Sequence, residues 1–303
     1  LISVIVPTLN AGSQWNRFSK ALAANVRPDQ VLIVDSSSDD ATTTLAHMAG
    51  FRVLSIDRAD FNHGGTRQMA AEVMHESEIL VYLTQDAVLA GPEAIAELVK
   101  AFDDPNVGVA YGRQLPRPGA GAIEAHARLF NYPAESNVRD VNSREELGFK
   151  SIFISNSFSA YRRSALMAVG GFRSGVILSE DTIVAANMLL NGWRIAYVAG
   201  AQVYHSHCYT WIQEFKRYFD IGVLHSREEW LLTRFGRANG EGKRFVVSEF
   251  SYLCKHAILQ IPSAIIRTGL KLFAYRLGRM ETHLTPDLKR HLSMHHQFWT
   301  GKV

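Results

Sequence analysis

The sequence predicts an α/β fold: a mostly parallel central sheet flanked by helices, followed by a helical C-terminal extension. Three observations predict it. Near-continuous apolar runs recur in "LISVIVPTLN", "QVLIVDSSSDD" and "ILVYLTQDAV", which suits central strands covered on both faces. Helix-like segments lie between these runs, and strand–helix–strand alternation favours right-handed parallel crossovers. From Trp211 onward the pattern turns helical and basic.

Taken in order, the first strand stops at Pro7-Thr8, the second at Asp35 and the third just before Asp86. Between the first two, Trp15 to Asn25 carries Phe18 and Leu22 at helical spacing. Ala41 to Met48 follows a Ser/Asp-rich helix start. Ligands of such sheets bind outside the carboxyl ends of the strands, so these three loops are expected to share one crevice. Gly112 to Lys150, rich in Pro, Gly and charge, reads as loops and short helices over it. A strand and helix closed at Gly170-Gly171 follow. Next comes a helix with Ser179 as N-cap and Gly192 at its C′ position. The strand "RIAYVAGAQVYHSH" ends on histidines. In the C-terminal part, helical spacing from Phe245 to Met280 is broken once, at Pro262. Arg267, Lys271 and Arg279 fall opposite Ile266, Leu270 and Phe273. Such a helix can lie in a membrane interface or pack its apolar side on the main domain. The division expected is a catalytic domain over 1–210 and a helical region over 211–303.

Composition bounds the function. A chain of 303 residues with 47% apolar content fits one large domain or a main domain with an appendage. A net charge of +3 gives no case for nucleic acid. Cys208 and Cys254 provide no metal or disulfide framework, which fits a reducing compartment. No charged-then-apolar leader is read, and no apolar run approaches the ~18–20 residues needed to span a bilayer. A soluble or peripheral protein is expected.

Several residues carry chemistry. Asp86 can hold a hard divalent cation together with substrate phosphates, or cap the next turn. Asp35 can accept a hydrogen bond from a ligand imide or hydroxyl, while Ser38 and Asp40 suit helix capping. In "DFNHGGTRQMA", Gly64-Gly65 permits close approach of a ligand and Arg67 can pair with a phosphate. Glu180-Asp181 at a helix start is favoured by the helix dipole, and a carboxylate there can also act as general base. His205 and His207, two apart at a strand end, point to one face, and neutral imidazole is a common metal ligand. "HSHC" as a zinc site lacks a second ligand cluster.

Together "SVIVPTLN", "VLIVDSSSDDAT", "NHGGTRQMA", "VYLTQDA", "SEDTIVAANMLLNGWRIAYV" and "VYH" resemble the family-2 glycosyltransferases, inverting enzymes of the Rossmann-like GT-A fold that use nucleotide-diphosphate sugars. More narrowly, "DRADFNHGGTR", "LTQDA" and "YFDIGVLHSREEW" resemble bacterial rhamnosyltransferases of O-antigen synthesis, whose donor is dTDP-L-rhamnose. The resemblance implies that Pro7, Thr8, Asp35, Asn62, Arg67 and Gln85 bind the donor. It implies a Mg²⁺ or Mn²⁺ ion on Asp86 and His205, with Asp181 as catalytic base. It further implies a glycan or lipid-linked acceptor at the cytoplasmic face of the inner membrane. Thr84 stands where the family's Asp-x-Asp motif has its first acid, and Ser36 where many members carry a second acid. A donor of the UDP-hexose or UDP-N-acetylhexosamine type is the alternative. A nucleotidyltransferase is disfavoured, because "PTLNAGSQW" lacks a basic Gly-rich loop after the first strand.

Overall fold

The computed structural model describes residues 1–236 and 240–300. Its centre is a nine-stranded sheet. In chain order the strands are β1 (Ile2–Thr8), β2 (Val31–Asp35), β3 (Arg52–Ser55), β4 (Ile79–Leu83), β5 (Val88–Leu89), β6 (Val107–Leu115), β7 (Asn137–Arg139), β8 (Phe158–Arg162) and β9 (Arg194–Tyr204). The spatial order is β3-β2-β1-β4-β8-β6-β9-β5, with β7 also on β9. Strands β1, β2, β3, β4, β6 and β9 run one way, while β5, β7 and β8 run against them. The sheet is therefore mostly parallel.

The apolar runs form central strands because both faces are covered. All five residues of β2 and of β4 are buried. Ile5, Leu32, Leu80 and Tyr82 pack into one apolar cluster, and their neighbours Val4, Ile33, Val81 and Leu83 into another on the opposite face. That is the two-residue period of a strand divided between two helical layers. Parallel register sets Thr8 beside Asp35. The carboxyl ends of β1, β2, β4, β6 and β9 then open on one rim, as expected.

The C-terminal helices Trp211–Arg227, Glu229–Phe235, Glu241–His256 and Ile261–Arg279 follow. Pro262 sits in the first turn of the last of these, where its missing N–H costs nothing. The first and last cross at Gly222 and Gly278. A Cβ on Gly278 would strike the Phe219 carbonyl, and one on Gly222 the Tyr275 carbonyl, so only glycine allows this approach. Phe219, Val223, Leu224, Leu231, Phe235 and Ala274 share one apolar cluster with Ile5, Tyr82 and Tyr197 of the sheet. The change of element type at residue 210 thus involves no break in the core. Residues 237–239 and 301–303 of the expected C-terminal region lie outside the described residues.

Candidate active site

A cavity of about 820 Å³ opens on the rim, and Thr84, Asp86, Gln114, Asp181, His205 and His207 are among its lining. Asp86 also borders a second cavity of about 560 Å³. It lies just past the end of β4, and β9 delivers the two histidines. His205 Nε2 is 3.4 Å from Asp86 Oδ2, and His207 Nδ1 is 3.8 Å from the same oxygen. These three ligand atoms all lie within 4.8 Å of one another.

The polarity of this cluster follows from its neighbours. Arg128 donates to Gln114 Oε1 at 2.9 Å, which fixes that oxygen as an acceptor. His205 Nδ1, also 2.9 Å from Gln114 Oε1, must then be the protonated nitrogen. In the neutral ring this leaves the Nε2 lone pair facing a carboxylate, an arrangement that a cation between them resolves. Burial pushes the Asp86 carboxyl up, but when His205 carries a proton on both nitrogens its hydrogen bond and charge, with help from Thr84 and His207, hold that carboxyl well below the usual range. Burial and the neighbouring His205 lower His207 to about 3 and so keep it neutral. Thr84 Oγ1 is buried and makes no hydrogen bond of ordinary geometry. These donors suit a divalent cation.

Asp181 lines the same cavity from the first turn of the helix Glu180–Leu190. Its Oδ2 accepts from the Asn156 backbone N–H at 3.0 Å, and its Oδ1 from Thr182 N–H at 2.7 Å. Burial, then the charge of Glu180, raises its carboxyl to about 6 against those two hydrogen bonds. Ser179 stands at the N-cap but makes no side-chain cap, and its backbone is left-handed with φ 59°. With Asn10 and Ser37, it is one of the three non-glycine residues of left-handed backbone among the described residues, and all three lie in loops at this rim. Such strain clusters at functional loops.

The remaining sequence-predicted residues hold the chain together around the cavity. Arg67 is 5% exposed, and its guanidinium pairs with Glu180 Oε1 at 3.0 Å and donates to the His63 carbonyl. It lines neither cavity, and its guanidinium is engaged by this buried ion pair. Asn62 caps its helix by accepting from Gly65 N–H at 2.9 Å. Gly64 is required by packing, since a Cβ there would strike the Arg173 carbonyl. Gln85 clamps the Leu9 backbone, accepting from its N–H at 2.7 Å and donating to its carbonyl at 3.0 Å. Asp35, 1% exposed, accepts from Thr8 Oγ1 at 3.1 Å, Ser38 Oγ at 2.6 Å and Ser38 N–H. Pro7 is half-buried beside it, and Ser36 Oγ is buried without a partner. Thr8, Asp35 and Gln85 therefore tie β1, β2 and β4 together at the rim.

Sequence reasoning missed Gln114, Asn156 and Arg217. Asn156 is a hub: its side-chain amide donates to Glu180 Oε1 at 3.0 Å, and its Oδ1 accepts from Ser159 and Tyr161. Arg217 is an exposed cation on the cavity wall with no carboxylate partner among the described residues. Neither Gln114 nor Asn156 belongs to a local motif. Only their polarity at a strand end or just before a strand marked them.

The chain resembles known proteins along nearly its whole length. Residues 79–275 match the model described as glycosyl transferase family group 2. The O-antigen chain rhamnosyltransferase RfbN of Salmonella typhimurium is 43% identical over 302 residues, covering 99% of this chain and 96% of that protein. The O-antigen chain rhamnosyltransferase WbaN of Salmonella anatum is 44% identical over 301 residues, with the same coverage. Among solved structures, a mannosyltransferase of Pyrobaculum calidifontis in complex with GDP-Man and Mn²⁺ aligns with TM-score 0.57 and 18% identity, over 96% of this chain and 84% of that one. Residues 1–349 of S. aureus TarS in complex with UDP align with TM-score 0.52 and 16% identity, over 93% and 90%. Those two likenesses establish a shared GT-A fold. By family match and full-length identity, the chain belongs to glycosyl transferase family group 2 and is a glycosyltransferase.

Proposed function

We propose that the chain transfers L-rhamnose from dTDP-β-L-rhamnose to a hydroxyl of a saccharide acceptor, with inversion, in O-antigen or related polysaccharide synthesis. The observation that carries the reading is full-length identity of 43–44% to two O-antigen chain rhamnosyltransferases. It is supported by a cavity with a raised carboxyl, Asp181, and an Asp-His cluster in its lining. Asp181 takes the proton from the acceptor hydroxyl as that oxygen attacks the anomeric carbon. A group titrating near 6 is largely ionised at neutral pH yet still basic enough to accept it. A bound Mg²⁺ or Mn²⁺ held by Asp86 and His205 would neutralise charge on the leaving diphosphate. Gln114 keeps the His205 tautomer correct for that role. With Arg67 occupied by Glu180, Arg217 on the wall of the larger cavity is a cation available to the diphosphate.

A donor screen tests the reading. With a saccharide acceptor, dTDP-rhamnose should give a product of one added deoxyhexose, and UDP-glucose or UDP-N-acetylglucosamine should give none. Transfer from a UDP-sugar alone would refute it.

The acceptor reading rests on the outer surface of the C-terminal helices. Arg267 and Lys271 turn inward onto Glu214 at 2.7 and 3.2 Å, while Ile265, Ile266, Leu272 and Phe273 are 64, 45, 57 and 61% exposed. Leu259 in the preceding turn is 92% exposed. This inverts the polarity of a helix in water, and Lys243, Arg244, Lys255 and Arg276 are exposed cations of the same two helices. No helix of the described residues is long and apolar enough to cross a membrane. The surface suits an anionic bilayer interface, which would present a lipid-linked acceptor to the cavity. Burial of each large side chain is worth about 1.5–3 kcal/mol. Ile266→Glu/Phe273→Glu should therefore cut co-sedimentation with anionic vesicles by at least about tenfold. Unchanged pelleting would remove the membrane from this reading.

A further inference from the structure

We infer that His207 is a third protein ligand, and that the resulting set of one carboxylate and two imidazoles selects a transition ion such as Mn²⁺ over Mg²⁺. This rests on the reading of Asp86 and His205 as metal ligands and goes beyond it.

His205 still belongs to the sheet, its N–H donating to the Leu115 carbonyl at 3.0 Å. Residues two apart then project to one side, which brings His207 beside Asp86. Its ring packs edge-on to His205 at 4.6 Å and stacks on Tyr209 at 5.0 Å, so its orientation is fixed by packing. Its Nδ1 faces Asp86 Oδ2 at 3.8 Å, and among the described residues its ring nitrogens have no hydrogen-bond partner. A histidine that only filled space would not need to aim a nitrogen at the carboxylate that His205 already meets. The three ligand atoms converge within 4.8 Å, close enough for one ion to touch all of them.

The donor types decide the ion. Mg²⁺ prefers carboxylate, phosphate and water oxygens and dehydrates reluctantly. Imidazole nitrogen is a better donor to first-row transition ions than to Mg²⁺, and Mn²⁺ is the weakest binder of that series. The sequence reinforces the bias, because Asp86 is the single carboxylate of the cluster and the residue two before it is Thr84. A single carboxylate also leaves net positive charge on the ion, which a diphosphate then neutralises.

The test uses the full chain without donor and measures binding, not turnover. Mn²⁺ is titrated and followed by electron paramagnetic resonance, with Mg²⁺ as competitor. Pulsed measurements count the nitrogens coupled to the bound ion. Wild type should bind Mn²⁺ at least about tenfold tighter than Mg²⁺ and show two nitrogen couplings. His207→Phe keeps the ring stack on Tyr209 and should show one coupling, with Mn²⁺ affinity down about tenfold or more and Mg²⁺ affinity unchanged. Wild-type Mn²⁺ affinity and two couplings in His207→Phe would overturn the role of His207 alone. Equal affinity for the two ions in wild type would overturn the selectivity. His205→Ala should abolish Mn²⁺ binding; if it binds as wild type does, the underlying metal reading fails as well.

Discussion

Asp181→Asn should reduce the transfer rate by about 10²–10⁴-fold while leaving the fold and donor affinity intact. The substitution keeps the size of the side chain. It removes the group proposed to accept the acceptor proton and spares the Asp86 cluster proposed to meet the donor. Circular dichroism and a donor thermal shift serve as the controls, and single-turnover kinetics as the readout. Retention of full transfer by the folded variant would eliminate Asp181 as base. The pH dependence carries a second signature. Burial and the charge of Glu180 lift the Asp181 carboxyl to about 6, so the wild-type rate should climb as pH rises through about 6 and then level. The stability sign is opposite. A carboxyl raised above its unfolded value of 3.8 favours the folded state fully below that value, and loses the contribution as pH rises through about 6. The ionised, active form is thus the less stable one.

How far the site is legible in the sequence depends on what each residue does. The strand ends are legible because apolar runs stop there. That brings Asp86 and His205 to one rim, since they follow the carboxyl ends of two strands of one sheet, and Asp181 joins them from the first turn of the helix Glu180–Leu190. The partners of Arg67, Asn62 and Gln85 are not legible. Each of these side chains can meet a ligand or a piece of the chain with the same chemistry. The choice is made by neighbours distant in sequence: Glu180 for Arg67 and Leu9 for Gln85, with Asn62 taken up by its own helix. The C-terminal helices show the same limit. The period of Ile261–Arg279 is plain, but which face looks outward depends on Glu214, a residue 53 positions before Arg267. Gly64 illustrates the converse error, a glycine that suggests a ligand and in fact accommodates the Arg173 carbonyl.

Arg67 offers the other large effect, because the two roles open to it predict different failures. Its guanidinium and the Glu180 carboxylate are 6 and 8% exposed and 3.0 Å apart. Removing one member of a buried pair leaves the other charge uncompensated, at a cost of about 3–5 kcal/mol. Against a typical domain stability of about 5–15 kcal/mol, Arg67→Ala should be severely destabilised in urea unfolding. A donor-binding arginine would instead raise the donor KM and leave stability alone. The pH dependence separates the cases further. In the wild type burial pushes the Glu180 carboxyl up, but Arg67 first, then His63 and Asn156, outweigh it and hold it below its ordinary 4.5. A lowered carboxyl stabilises the fold above 4.5, and that stability is lost as pH falls. Without Arg67 burial dominates, Glu180 takes up a proton, and the variant weakens as pH rises through the raised value. The gap between wild type and Arg67→Ala should therefore be wide at pH 7 and narrow toward pH 4. Replacing both partners by apolar residues, Arg67→Met with Glu180→Leu, should recover much of the stability, since no charge is then stranded. It should not recover activity, because Asn156 would lose the carboxylate that its amide holds while its backbone N–H holds Asp181. A stable but inactive double variant would identify the pair as the support that positions the base.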